Sequence, residues 1–168
     1  MGVMALFSWR ITKYNPQNRD ERGNYLCAYE WTSFLEVGTK VSEEEYLRIE
    51  SKYINAITIY MGEMGLNRGY IDALEIWSDG VPNQNASPFL SKMWVGKCVT
   101  LKEIQELAKL TLREVIWCKL RFKKKFFVHF GYDYYMYIGA DNECLKACQK
   151  VEESGLYVED FLSPYLEQ

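Results

Sequence analysis

A single histidine, His129, is the residue of this chain whose type most directly implies chemistry. Imidazole titrates near neutral pH and can serve as a general acid or base. His129 lies in an aromatic run from Phe126 to Gly139, rich in strand-forming residues. On a regular strand Phe127, His129, Gly131, Asp133, Tyr135 and Tyr137 share one face. Phe126, Val128, Phe130, Tyr132, Tyr134, Met136 and Ile138 share the other, which is more apolar and is expected to be core. The first face then offers an imidazole, a carboxylate and two phenols. His129, Asp133, Tyr135 and Tyr137 are therefore the candidate binding residues. His129, Asp133 and Tyr135 would form the catalytic group of an enzyme. On a straight strand, however, His129 and Asp133 stand about 13 Å apart, at ~3.3 Å per residue. Only a turn or bulge at Gly131 brings them together, so a structural or partner-binding role is the plainer expectation.

Three other clusters invite chemistry, and each has a plainer explanation. Cys144 and Cys148 sit four residues apart on an expected helix, a spacing that could place two thiolates on one metal. With one histidine and scattered cysteines a four-ligand set is hard to assemble, so two small buried side chains are expected and no metal site. Arg121 and the run Lys123, Lys124 and Lys125 could grip a phosphate backbone while Phe126 or Phe127 stacks on bases. A solvated hairpin tip explains the same lysines. Asp20, Glu21 and Glu30 could hold a cation or meet a basic partner, or be ordinary loop carboxylates. Signature motifs are missing: there is no phosphate loop, no His-Glu-x-x-His, no Gly-x-Gly-x-x-Gly and no Gly-x-Ser-x-Gly. No cofactor is expected, and no motif assigns an activity.

The elements that must position these residues are legible from periodicity and punctuation. Residues 4–14 read as a first strand, ended by Asn15-Pro16. Ser33 could cap a short turn closed by Gly38. Ser42 opens the longest helix with Glu45 as its capping-box partner. Tyr46, Ile49, Tyr53, Ile57, Tyr60 and Met64 form its apolar stripe, widened by Leu47, Ile54 and Met61. Tyr70 to Trp77 reads as a strand, 78–92 as the longest irregular loop, and Thr100 as the start of a second capped helix. Ile116 to Phe122 and the His129 run form strands around the lysine tip, with a break possible at Gly131. Asp141 is expected to cap a last helix ending at Gly155, before a short strand from Leu156 to Phe161. This order predicts one compact α+β domain over residues 1–168: a mostly antiparallel sheet with about three main helices packed on one face.

Three stretches are familiar as a set: residues 11–16 (ITKYNP), residues 30–33 (EWTS) and residues 129–137 (HFGYDYYMY). They resemble a group of small cytosolic bacterial proteins of unknown function, similar in size and composition to immunity proteins that neutralise polymorphic toxins. The resemblance implies a bacterial or phage setting and no chemistry.

Composition narrows the function classes further. The net charge of -3 offers no global basic field for nucleic acid. No segment reaches the ~18–20 apolar residues of a membrane span. The apolar start lacks the basic region of a signal peptide, and five irregularly spaced cysteines argue against a disulfide framework. A cytoplasmic location with reduced thiols is therefore expected. Thirteen tyrosines and five tryptophans are the most unusual feature, and such residues are enriched where proteins bind proteins. The reading that follows is a protein-binding module, of the immunity type or another inhibitor. The alternatives are a small enzyme or ligand binder using the His129 face, and a weak nucleic-acid binder using Lys123–Lys125.

Overall fold

A computed structural model describes residues 6–24, 26 and 30–166. Residues 4 and 5 of the expected first strand, and Cys27, lie outside them. Seven strands form one antiparallel sheet: β1 (Phe7–Thr12), β2 (Arg68–Ile76), β3 (Cys98–Thr100), β4 (Ile116–Phe122), β5 (Phe126–Phe130), β6 (Met136–Ala140) and β7 (Tyr157–Asp160). Their spatial order is β3-β2-β4-β5-β6-β1-β7. The helices are α1 (Glu43–Glu63), α2 (Ser87–Leu90), α3 (Leu101–Leu112) and α4 (Leu145–Glu153). This is the α+β architecture expected.

Strand pairing fixes which side chains share a face. Leu120 pairs with Val128, Val128 with Ile138, and Ile138 with Trp9. That face joins Tyr53, Ile57 and Tyr60 of α1, Ile104 and Leu107 of α3, and Val151 of α4 in one apolar core. The three long helices thus cover one side of the sheet. The other side carries Lys119, Phe127, His129 and Tyr137, and the segment after β7 lies over it through Ser163 and Tyr165. No helix among the described residues is long and apolar enough to cross a membrane.

The helix starts show how local rules hold or yield. Thr100 and Glu103 form the full reciprocal box at α3. At α1 the Ser42 hydroxyl accepts from the Glu45 backbone N–H at 3.1 Å, but the Glu45 carboxylate goes to Arg48 at 2.8 and 2.6 Å. Only half of that expected box forms, because a guanidinium is the stronger partner for a carboxylate. Asp141 is not the cap of α4. Cys144 holds that position with a left-handed backbone (φ 46°), and the carboxylate of Glu63 from α1 accepts from the Ala147 N–H at 2.6 Å. A tertiary cap replaces the local one.

Other departures have similar causes. Residues 78–92 are not one irregular loop: residues 82–84 form a 3-10 turn, α2 follows, and Ala86, Leu90 and Met93 are buried. The edge strand β3 has no counterpart in the sequence reading, because three residues are too few to show alternation. Within α1, Leu47 is exposed while Glu50 is buried on the stripe, where Arg113 neutralises it through two bonds at 2.8 and 2.9 Å.

Candidate functional site

The aromatic run breaks at Gly131, as its glycine allowed, and the break becomes a tight turn. The Tyr135 N–H donates to the Tyr132 carbonyl at 3.1 Å, and the Gly131 N–H to the Tyr135 carbonyl at 2.7 Å. Asp133 and Tyr134 have φ of 57° and 65°, positive at both central positions as in the I′ hairpin family. Asp tolerates this region, but for tyrosine it is strained. Tertiary bonds hold it. The Tyr53 hydroxyl donates to the Tyr134 carbonyl at 2.8 Å, and the Tyr14 hydroxyl to the Asp133 carbonyl at 2.7 Å. The Tyr134 hydroxyl donates to the Leu112 carbonyl at 3.0 Å, and its ring lies edge-on to Trp31 at 4.8 Å.

The turn separates the candidate residues. His129 and Tyr137 remain paired across β5 and β6. His129 is 3% exposed, stacked on Phe127 at 4.3 Å, with its Nδ1 2.8 Å from the Ser163 hydroxyl. Burial, helped by the nearby Lys119 ammonium, pushes its pKa down to about 4, with Asp72 opposing weakly. The imidazole is therefore neutral at pH 7. A hydroxyl at that distance has the spacing of an activated nucleophile, but Ser163 is equally buried at 3% and neither residue lines the pocket described next. Asp133 and Tyr135 go elsewhere, to the lip of a pocket. Tyr132, expected in the core, is 83% exposed because it sits at the turn; Phe127, expected on the outer face, is buried, its ring against His129 and Gly139.

That pocket has a volume of about 340 Å³ and opens at the end of the sheet where β5 turns into β6. Trp77, Trp117, Phe130, Tyr135 and Tyr165 are among its aromatic walls. The Trp117 indole N–H donates to the Phe130 carbonyl at 2.9 Å, which fixes that ring. Three carboxylates stand at the rim: Glu75 on β2, Glu114 after α3, and Asp133 in the turn. One Glu114 oxygen accepts from the Ser33 hydroxyl at 2.9 Å and the Phe34 N–H at 2.8 Å, so that carboxylate is held in place. Among the described residues, no lysine, arginine or histidine lines the cavity. The sequence reading found Asp133 and Tyr135 but missed Trp117, Glu75, Glu114 and Tyr165. They come from separate segments, and the aromatic count was their only signal.

The remaining clusters resolve into structural roles or open surface. Lys123, Lys124 and Lys125 are exposed at the β4–β5 tip, at the opposite end of β5 from the pocket. Phe126 and Phe127 are buried and cannot stack on bases, and Arg121 pairs with Asp72 at 2.8 Å. Cys144 is buried, which pushes its thiol up to about 12, and Cys148 lies 3.1 Å from the Tyr60 hydroxyl. Among the described residues no group of three or more His, Cys, Asp and Glu side chains is placed to hold a metal ion. Glu30 pairs with Lys13 at 2.8 Å, while Asp20 folds back on the Arg22 and Asn24 N–H groups, so the two do not act together. Among the described residues Tyr14, Tyr46, Tyr53, Tyr60, Tyr134 and Tyr137 are buried, so at least six of the thirteen tyrosines serve the fold. No protein-family model, curated protein or solved structure matches this chain.

Proposed function

We propose that this chain is a protein-binding module whose docking site is the aromatic pocket at the β5–β6 turn, and that its partner is basic. The observation that carries the reading is a cavity of about 340 Å³ with aromatic walls, three rim carboxylates and, among the described residues, no cation in its lining. Fixed aromatic rings supply contact area at low entropic cost, and carboxylates steer a basic surface toward them. The charge on the rim repels phosphate, which weighs against nucleic acid at this site. His129 and Ser163 line no part of the cavity, which weighs against the enzyme alternative.

The finer form of the reading is an immunity-type or other inhibitor acting in bacterial or phage conflict. Its support is the resemblance noted in the sequence and the acidic site, which suits a target that is itself basic because it binds nucleic acid. The test is affinity purification from the native host with the neighbouring genes expressed, using the wild-type chain and a Trp117→Ala variant in parallel. One stoichiometric basic protein, retained by the wild type and lost by the variant, is the expected result. Recovery of the chain alone, or a partner indifferent to Trp117, refutes the docking site.

A further inference from the structure

We infer that the pocket receives a guanidinium group, presented by an arginine side chain of the partner. The inference rests on the docking reading above and names the chemistry of what enters. The rim alone would be three surface carboxylates; what distinguishes it is the aromatic chamber behind them. A cation over the face of a tryptophan or tyrosine is attracted by the ring quadrupole, and more strongly where water is excluded. A guanidinium is planar, weakly hydrated and able to bond a carboxylate through two N–H groups, so it enters such a chamber at lower desolvation cost than an ammonium.

The molecule already solves this problem once beside the pocket. The Arg10 guanidinium lies 4.1 Å from the Phe161 ring centroid and 5.4 Å from that of Tyr135, with its Nε 3.3 Å from a Glu159 carboxylate oxygen. Tyr135 is a wall shared between that internal site and the open cavity. The pocket repeats the same ingredients, rings and a carboxylate, with no lysine, arginine or histidine among the described residues that line it. Its volume, at the low end of the ~300–1,000 Å³ typical of ligand sites, suits a single side chain.

The test titrates the 168-residue chain with N-acetyl-arginine methylamide, followed by the indole N–H resonances of Trp77 and Trp117. N-acetyl-lysine methylamide and tetramethylammonium are titrated in parallel. A Glu75→Gln/Asp133→Asn double variant serves as control, because asparagine tolerates the left-handed backbone at 133 as aspartate does. The expected result is saturable millimolar binding of the arginine probe, about fivefold weaker in the double variant, as for two exposed charge contacts. The lysine probe should bind more weakly still. No saturable response, a response the double variant leaves unchanged, or equal or tighter binding of the lysine or tetramethylammonium probe overturns the inference. Its failure is separable from that of the docking reading. A partner that Trp117→Ala releases but the double variant retains overturns the guanidinium and leaves the docking site. Arginine binding with no captured partner supports the chemistry and refutes the docking.

Discussion

Lowering the pH should destabilise this protein through His129 alone before its carboxylates contribute much. The groups facing the imidazole are Ser163 at 2.8 Å, the Phe127 and Tyr165 rings, Tyr137 across the strand pair, and Lys119 with Asp72. Burial is the dominant cause of the depressed pKa, Lys119 adds to it, and Asp72 only partly offsets it. A base whose pKa falls on folding binds fewer protons in the native state, so stability is complete above the unfolded value and is lost as pH falls. The window runs from 6.5 down to about 4. At about 1.36 kcal/mol per pH unit, the cost is negligible at pH 7.5, about 2 kcal/mol at pH 5 and about 3 kcal/mol below pH 4. The chain has no second histidine to blur this window. Urea denaturation of the wild type and His129→Gln at pH 7.5 and 5 isolates the effect, because carboxylate titration is common to both and cancels. The wild-type midpoint should fall relative to the variant by about 1 M urea, with the slope unchanged. A difference that stays constant between the two pH values, or shifts in favour of the wild type at pH 5, refutes the reasoning.

Three further outcomes follow from packing. Arg113→Met leaves the buried Glu50 carboxylate without its bidentate partner and should cost about 3–5 kcal/mol, read by denaturant midpoint; adding Glu50→Gln should restore much of it. Tyr53→Phe removes the hydroxyl that accepts from the Lys13 N–H and donates to the Tyr134 carbonyl, both at 2.8 Å. Its expected cost is about 1–3 kcal/mol, with the Trp117 indole resonance moving as the turn relaxes. Gly139→Ala places a methyl against the Phe127 ring, 2.7 Å from Cδ1 and closer to Cε1 and Cζ. Overpacking of at least about 1–3 kcal/mol is expected, measured by thermal denaturation, and Phe127→Leu in the same chain should relieve it.

The long-period features of this fold were readable because they are local. The Ser42 and Thr100 starts, the apolar stripe of α1, the glycine stops and the lysine tip each depend on residues within one or two turns of chain. Where a neighbour from elsewhere in sequence offers a better partner, the local reading fails. Glu63 caps α4 in place of Asp141, and Arg113 draws Glu50 into the core. The tight turn at Gly131 was legible as a break, but its consequence was not. Two residues of positive φ part Asp133 and Tyr135 from His129 and expose Tyr132.

By itself, then, the sequence determined an α+β chain with a mostly antiparallel sheet, its helices on one face and a hairpin tip of lysines. Periodicity and capping encode those directly. The tertiary structure alone decided that the histidine is buried beneath the segment after β7 and that the aromatic, acidic pocket lies at the end of β5 away from the lysine tip. Glu75 and Trp117 meet there because β2 pairs with β4, and Glu114 from the end of α3 and Tyr165 from the segment after β7 join them. A pairing register is a property of two strands at once, and neither strand carries it alone.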